Sequence, residues 1–338
     1  MSTNKKKYVR ILNEPTKLTN IDKKGFNMFK IVNGGFIKRE PTYVGLIFGQ
    51  PGAGKSTVAV SATKPLLIDL DMGAQRIATK DRTGVDVVQC ENYNDLVEII
   101  NSPELKNYDT IIVDTFGQII DMMIRDRFNG SLNPKVWGIL KSDFMQLTNT
   151  LKMTGKSILF LAHESEEKND DKVIKRPQCQ GKAKDELMKV LDFIGYLHNG
   201  NNGARILEFG EDESFYAKNT LGFDSKYVLP DVKLGDNDFW KTKIETRIKE
   251  YIKEQDEQDE QIRSKMHDIN KEIQKAKEPK DFDEIVLLIQ KADLTNGAKL
   301  KLKHDLIACA EEKSVVYDRT AGAFVKKGNK EDENKDGE

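Results

Sequence analysis

The segment Val44-Gly-Leu-Ile-Phe-Gly-Gln-Pro-Gly-Ala-Gly-Lys-Ser56 constrains this chain more than any other. Tyr43 to Phe48 reads as a buried strand, the chain then breaks into a glycine-rich turn, and Ser56 to Ala62 reads as a helix start. Gly49, Gly54, Lys55 and Ser56 meet the pattern G-x-x-x-x-G-K-[ST]. Glycines at 49, 52 and 54 let the backbone approach an anion closely, so that successive N–H groups and the helix start face phosphate oxygens. Lys55 offers a point charge to the β- and γ-phosphates, and Ser56 a hydroxyl ligand for Mg²⁺. Gly49, Gln50, Pro51, Gly52, Ala53, Gly54, Lys55, Ser56 and Thr57 therefore form a nucleotide-phosphate cradle.

Downstream, short runs continuous in Val, Ile and Leu alternate with helical patterns: Leu66 to Asp71, Val85 to Gln89, Asp95 to Ile100, Thr110 to Asp114, and Gly117 to Phe128. Strands of this kind belong to a parallel sheet covered by helices on both faces. A helical stretch, Val136 to Met153, leads into a further strand, Ser157 to Ala162. Asp192 to Leu197, Arg205 to Phe209 and Ser214 to Ala217 are short and alternating, as hairpins that finish the sheet. From Phe239 to Ala310 the pattern is helical, with Ile262, Met266, Ile269, Ile273 and Ala276 on one stripe and Phe282, Ile285, Leu288 and Ala292 on another. The expected organisation is a basic arm over 1–40, an α/β ATPase-type core over 41–235, a small helical domain over 236–315 and a disordered acidic tail over 316–338.

Composition narrows the chemistry. Net charge is −1, so any nucleic-acid contact has to come from local clusters, such as the arm, which holds ten Lys/Arg against Glu14, Asp22 and Glu40. Cys90, Cys179 and Cys309 are too few and scattered for a disulfide framework or a zinc site, which leaves Mg²⁺ as the expected metal. No apolar run reaches the ~18–20 residues that span a bilayer, and no signal-type apolar core follows Met1, so a soluble cytoplasmic protein with no membrane partner is expected.

A phosphate cradle needs a carboxylate at the end of a second strand to hold the Mg²⁺ shell, and Asp114 supplies it. The base that activates water is sought at the end of Leu66 to Asp71: Asp69 and Asp71 lie two apart on a strand and point the same way, with Asp71 the expected base and Asp69 in support. The rival is Glu164, just after His163 at the end of the strand that begins at Ser157. Ligands of parallel sheets sit outside the carboxyl ends of the strands, so all these ends converge.

Together, Gly49 to Ser56, Ile68-Asp-Leu-Asp71, Ile111-Ile-Val-Asp-Thr115 and Leu161-Ala-His-Glu164 resemble the RecA-like P-loop ATPase core over roughly residues 43 to 225. The resemblance is closest to phage nucleotide-binding proteins that act as ATP-dependent single-strand annealing proteins, which would place the chain in a host cell's cytoplasm. It implies a RecA-like fold, ATP and Mg²⁺ as cofactors, a base at Asp71, and a γ-phosphate sensor at His163 that relays to a DNA-binding loop. It also implies a homo-oligomer with nucleotide at subunit interfaces. Ring-motor ATPases of the AAA+ type usually carry a glutamate after the second aspartate, where this chain has Thr115. The family pattern Ala-Lys-x-Arg-x-Gly, whose cations reach the neighbour's nucleotide, reads Ala217-Lys-Asn-Thr-Leu-Gly222: Lys218 stands, Thr220 replaces the arginine, and hydrolysis is expected to be modest.

Single-stranded DNA is the expected partner. Lys172, Lys175, Arg176, Lys182 and Lys184 are five cations with no acid between them, on a stretch read as a long loop where the family carries its second DNA-contacting loop. Such cations give the sequence-independent binding that annealing needs. Arg125 and Arg127, in the segment from Arg125 through Phe128 to Trp137, form a second candidate. The expected function is an ATP-dependent, oligomeric single-stranded-DNA-binding protein that promotes annealing or strand exchange in phage-type recombination. Its C-terminal domain or tail could recruit a single-strand-binding or replication protein. Three alternatives stay open: a translocating motor of the helicase or packaging type, a small-molecule kinase, and a nucleotide-gated binding module with vestigial hydrolysis. The kinase is disfavoured because no arginine-rich lid follows the core.

Overall fold

The computed structural model describes residues 39–130, 133–169, 172–179, 188–200, 203–231 and 235–327. The arm up to residue 38, the tail from 328 and the two lysines Lys182 and Lys184 lie outside the described residues. The chain divides into a unit spanning 40–254 and a second containing 255–327.

The first unit is built on parallel strands. β1 (Val44–Gly49), β2 (Pro65–Asp69) and β4 (Thr110–Asp114) are buried throughout, as their unbroken apolar runs require of strands covered on both faces. β3 (Asp86–Gln89) is the edge strand and correspondingly open to solvent. Helices α1 (Lys55–Ala59), α2 (Thr79–Arg82), α3 (Tyr93–Asn101), α4 (Phe116–Phe128) and α5 (Pro134–Met153) alternate with the strands through β5 (Ser157–Asn169). β6 (Lys172–Pro177), β7 (Phe193–Asn199), β8 (Arg205–Glu208), β9 (Lys218–Asn219) and β10 (Lys226–Val228) follow. The main path of the sheet runs β10-β8-β7-β1-β5-β4-β2-β3, so β5 lies between the cradle strand and the Asp114 strand. β1 is parallel to both its neighbours, with Gly49 opposite His163.

One face of the sheet is sealed by Leu96, Ile120, Met123, Leu140, Phe144 and their neighbours from α3, α4 and α5. The other is sealed by Val58 and Ala59 of α1 and by Phe239, Trp240, Ile244 and Ile248. This second set moves the expected division at 235: residues 239–254 belong to the first unit, because their apolar stripe closes a sheet face that the core cannot leave open. A π-helical turn, Trp240–Glu245, is pinned by polar contacts at the amino ends of the strands. Trp240 donates from Nε1 to the Tyr43 hydroxyl (2.6 Å) and from its backbone to Ser61 Oγ (2.9 Å). Buried Glu245 accepts from Thr63 N (3.0 Å), the Thr63 hydroxyl and the Thr110 hydroxyl (3.3 Å). Burial, and then the charge of Glu245, push the Tyr43 phenol far above its ordinary pKa, so it stays a neutral partner.

Two further expectations change. The stretch after Glu164, read as a loop, is a hairpin: β5 runs on past the sheet and pairs antiparallel with β6 from Glu164 opposite Pro177 to Asn169 opposite Lys172. Its stability comes from backbone pairing and from cross-strand charges that an apolar pattern does not reveal. Ser214 to Ala217 is not a strand; it holds a single bridge, Phe215 with Lys175.

The second unit contains the later part of α6 (Thr246–Lys275), then α7 (Pro279–Lys291) and α8 (Asn296–Glu312). Ile269, Ile273, Phe282, Ile285, Leu302 and Leu306 form its core. Leu288 of the expected stripe is exposed, and Ile289 takes the inward place. The tail expected to be disordered from 316 is ordered to 327: β11 (Val315–Asp318) pairs with β12 (Ala323–Lys326), burying Val315 and Phe324. Arg39, of the basic arm, pairs with Asp256 and Asp259 of α6 at 2.9 and 2.6 Å.

Replacing Glu245 by Ala removes the acceptor for Thr63 and Thr110 inside the fold and should lower unfolding stability by about 3 kcal/mol. Exposed Glu250→Ala should change it by less than about 0.5 kcal/mol. Urea unfolding followed by tryptophan fluorescence checks this, since both tryptophans, Trp137 and Trp240, lie in the 40–254 unit.

Candidate active site

The site lies at the carboxyl ends of β1, β5, β4 and β2. Gly49 ends β1, and a Cβ there would come within 2.0 Å of the Leu197 carbonyl, so only glycine lets β7 and the loop pack this tightly. Gly52 and Gly54 sit at φ 80° and 91°, the left-handed region that L side chains rarely adopt. α1 is only five residues long, so the loop's own N–H groups, more than a long helix, form the anion cradle.

Lys55 is 6% exposed and donates from Nζ to the Gly49 and Gln50 carbonyls, both at 2.9 Å. Burial lowers its pKa, against which Asp114, Glu164 and Asp71 pull upward. The charges of three carboxylates therefore favour the protonated ammonium. Ser56 Oγ donates to Asp114 Oδ2 (2.5 Å), which brings together the two residues expected to hold Mg²⁺.

The two aspartates after β2 take different work. Asp69 is buried and accepts from Gly73 N and Ala74 N, both at 2.9 Å, so its carboxylate shapes the turn that follows β2. Asp71 Oδ1 is buried with no partner among the described residues. Its Oδ2 lies 3.4 Å from the Thr115 hydroxyl and 4.0 Å from Arg76. Thr115 has one hydroxyl proton, and Asp114 Oδ1 at 3.1 Å is the nearer acceptor. Burial first, then Asp114 and Asp69, raise the Asp71 carboxyl above the usual range.

His163, opposite Gly49, has a buried Nδ1 without a partner among the described residues. Burial and the charge of Lys55 lower its pKa, outweighing Asp114 and Asp71, so the imidazole is neutral near pH 7. Glu164 is differently placed. It accepts from the Tyr196 hydroxyl (3.0 Å) and pairs with Lys175 (3.4 Å), which ties the base of the β5–β6 hairpin to β7. A committed carboxylate of this kind is a poorer base than Asp71. Unpartnered buried polar atoms in a native fold call for an explanation, and Asp71 Oδ1 with His163 Nδ1 beside a phosphate loop fit a nucleotide and its Mg²⁺.

The other expected residues, read as reaching a neighbour's nucleotide or DNA, have partners within this chain. Lys218 Nζ donates to the carbonyls of Met188 (3.3 Å), Lys189 (3.4 Å) and Leu191 (2.5 Å), and its strand pairs with Ile194, which lies opposite Leu46 in mid-strand, away from Gly49. Arg125 pairs with Asp126 and donates to the Glu91 carbonyl. Arg127 pairs with Asp143 and stacks near Tyr93 and Phe128. On the hairpin, Lys172 pairs with Glu213 and Arg176 with Glu167. Sequence reasoning passed over Thr115 as a hydroxyl donor and Tyr196 as the partner of Glu164. Tyr196 sits inside the apolar run Phe193 to Leu197, where its phenol is the one side-chain polar group.

No helix among the described residues is long and apolar enough to cross a membrane. A comparison with curated proteins finds no match. A family model described as an AAA domain matches residues 42–221, more than half of the 338. That stretch carries the cradle, the aspartates of β2 and β4 and the end of β5, and the chain belongs to the AAA domain family of P-loop ATPase-type proteins.

Proposed function

We propose that this protein is an ATP-driven switch that hydrolyses ATP at the strand ends and passes the state of the γ-phosphate to the β5–β6 hairpin. Its output is a grip on single-stranded DNA, used in annealing or strand exchange by an oligomer with nucleotide at its interfaces. The observation that carries the ATPase reading is the buried, unpartnered Asp71 carboxylate oxygen set beside Lys55 and the Ser56–Asp114 pair.

The loop N–H groups cradle the α- and β-phosphates, and Lys55 reaches the β- and γ-phosphates. Ser56 and Asp114 would hold Mg²⁺, which when bound neutralises charge on the β- and γ-oxygens. Asp71 accepts the proton of the attacking water at Oδ1, and its raised pKa brings its basicity nearer to neutral pH. His163, neutral and unpartnered at Nδ1, exchanges a hydrogen bond with the γ-phosphate, and its strand continues directly into the hairpin.

The acid limb of the pH–rate profile follows from sign. Asp71 works ionised and its pKa is raised, so turnover should fall at a higher pH than an ordinary aspartate would give. Asp71→Asn should cut kcat by at least about 100-fold with nucleotide binding retained. A carboxyl whose folded pKa is raised contributes stability only at acid pH and detracts from it once ionised. The same variant should therefore melt higher than wild type at neutral pH without nucleotide. Turnover near the wild-type rate would move the base role to Glu164.

The hairpin's charge balance favours a second reading as well. From Glu164 to Arg176 it holds five acids (Glu164, Glu166, Glu167, Asp170, Asp171) against four cations (Lys168, Lys172, Lys175, Arg176), which suits a nucleotide-gated module with a protein partner. Fluorescence anisotropy of a labelled single-stranded oligonucleotide decides between them. For the DNA reading, binding should strengthen at least about tenfold with ATP, weaken with salt, and lose its ATP dependence in Lys55→Ala. ATP turnover without ATP-dependent DNA binding at low salt would leave the protein-partner reading.

A further inference from the structure

Lys218, expected to reach a neighbour's nucleotide, is held by three backbone carbonyls of its own chain. Another cation lies against the cradle. Arg205 is the first residue of β8, and a Cβ built on Gly54 would lie 2.5 Å from Arg205 Nη1 and 3.5 Å from its Cδ. Gly54 therefore has two reasons to lack a side chain: its φ of 91°, and the space that the guanidinium occupies.

Arg205 is held firmly. Its backbone carbonyl accepts from Leu229 N (2.9 Å), its residue pairs with Asn199 across the β7–β8 hairpin, and its Nη2 donates to the Pro230 carbonyl (3.0 Å). The hairpin is seated on the cradle a second time where Gly49 meets the Leu197 carbonyl. Among the described residues no carboxylate pairs with Arg205, unlike Arg125, Arg127 and Arg176. A fixed guanidinium beside a loop of N–H groups and a buried lysine adds like charge to like, and an anion in the loop relieves it.

We propose that Arg205 is a nucleotide-binding residue acting in cis, whose Nη1 edge takes the α- and β-phosphates of the nucleoside di- or triphosphate held by the loop. The inference rests on the nucleotide reading of Gly49 to Ser56. It assigns the phosphate end by position: Gly54 belongs to the part of the loop that cradles the α- and β-phosphates, whereas Lys55 reaches the β- and γ-phosphates. Arg205 then grips product as well as substrate and contributes to affinity more than to the chemical step.

Calorimetric titration of the full-length protein with MgATP and MgADP tests it. Arg205→Gln should weaken both nucleotides by a similar factor, about 10- to 100-fold. Arg205→Lys, which keeps the charge without the planar fork, should fall between Gln and wild type. Unchanged affinity in the Gln variant, a loss confined to MgATP, a fall in kcat at unchanged affinity, or a Lys variant no tighter than Gln each overturns the proposal. The last result would mean that Arg205 only fastens the hairpin through Pro230. Lys55→Ala separates the two levels: a wild type that binds neither nucleotide removes the cradle reading too, whereas a wild type that binds, a Lys55 variant that does not, and an Arg205→Gln variant that binds normally remove this inference alone.

Discussion

A lysine ammonium almost out of water is the constraint on which the rest of the site depends. Its burial is costly unless oxygens surround it, and Lys55 finds two carbonyls of its own loop and the field of Asp71, Asp114 and Glu164. Those carboxylates come from the ends of three strands, β4, β5 and the turn after β2. The lysine thus requires the parallel sheet to be in register, since a shift of one residue in any of these strands would turn its acidic side chain to the other face.

The acids are not equivalent once their partners are counted. Asp69 is used up by a turn, Glu164 by Tyr196 and Lys175, and Asp114 by Ser56 and Thr115. Asp71 keeps a buried oxygen without a partner among the described residues, which is destabilising for the fold and useful for chemistry. His163 repeats the pattern where β5 leaves its pairing with β1, and that strand continues past the sheet into the hairpin, so the strand that touches the site also carries the segment best placed to report on it.

Much of this was legible in the sequence, for local reasons. The cradle is contiguous, its glycines are dictated by backbone geometry, and β1, β2, β4 and β5 announce themselves as unbroken apolar runs because both faces are covered. The β5–β6 hairpin was hidden because its pairing is carried by backbone and charge: Lys175 with Glu164 and Arg176 with Glu167 read as a polar loop until the strands are laid side by side. Residues 239–254 looked like the start of a separate helical domain because helical periodicity says which residues share a face, not which partner that face meets.

The sequence by itself determined the nucleotide chemistry and the parallel α/β architecture, since both follow from short-range patterns: glycine torsions, strand periodicity, and a lysine and serine at fixed spacing. Only the tertiary structure decided which of the carboxylates have partners, which cation lies beside the phosphate loop, and that the segment after Glu164 pairs as a hairpin of β5 with β6. Each of those depends on contacts between residues far apart in the chain, such as Thr115 with Asp71, Tyr196 with Glu164 and Gly54 with Arg205, and proximity of that kind is set by strand order and register, not by sequence spacing.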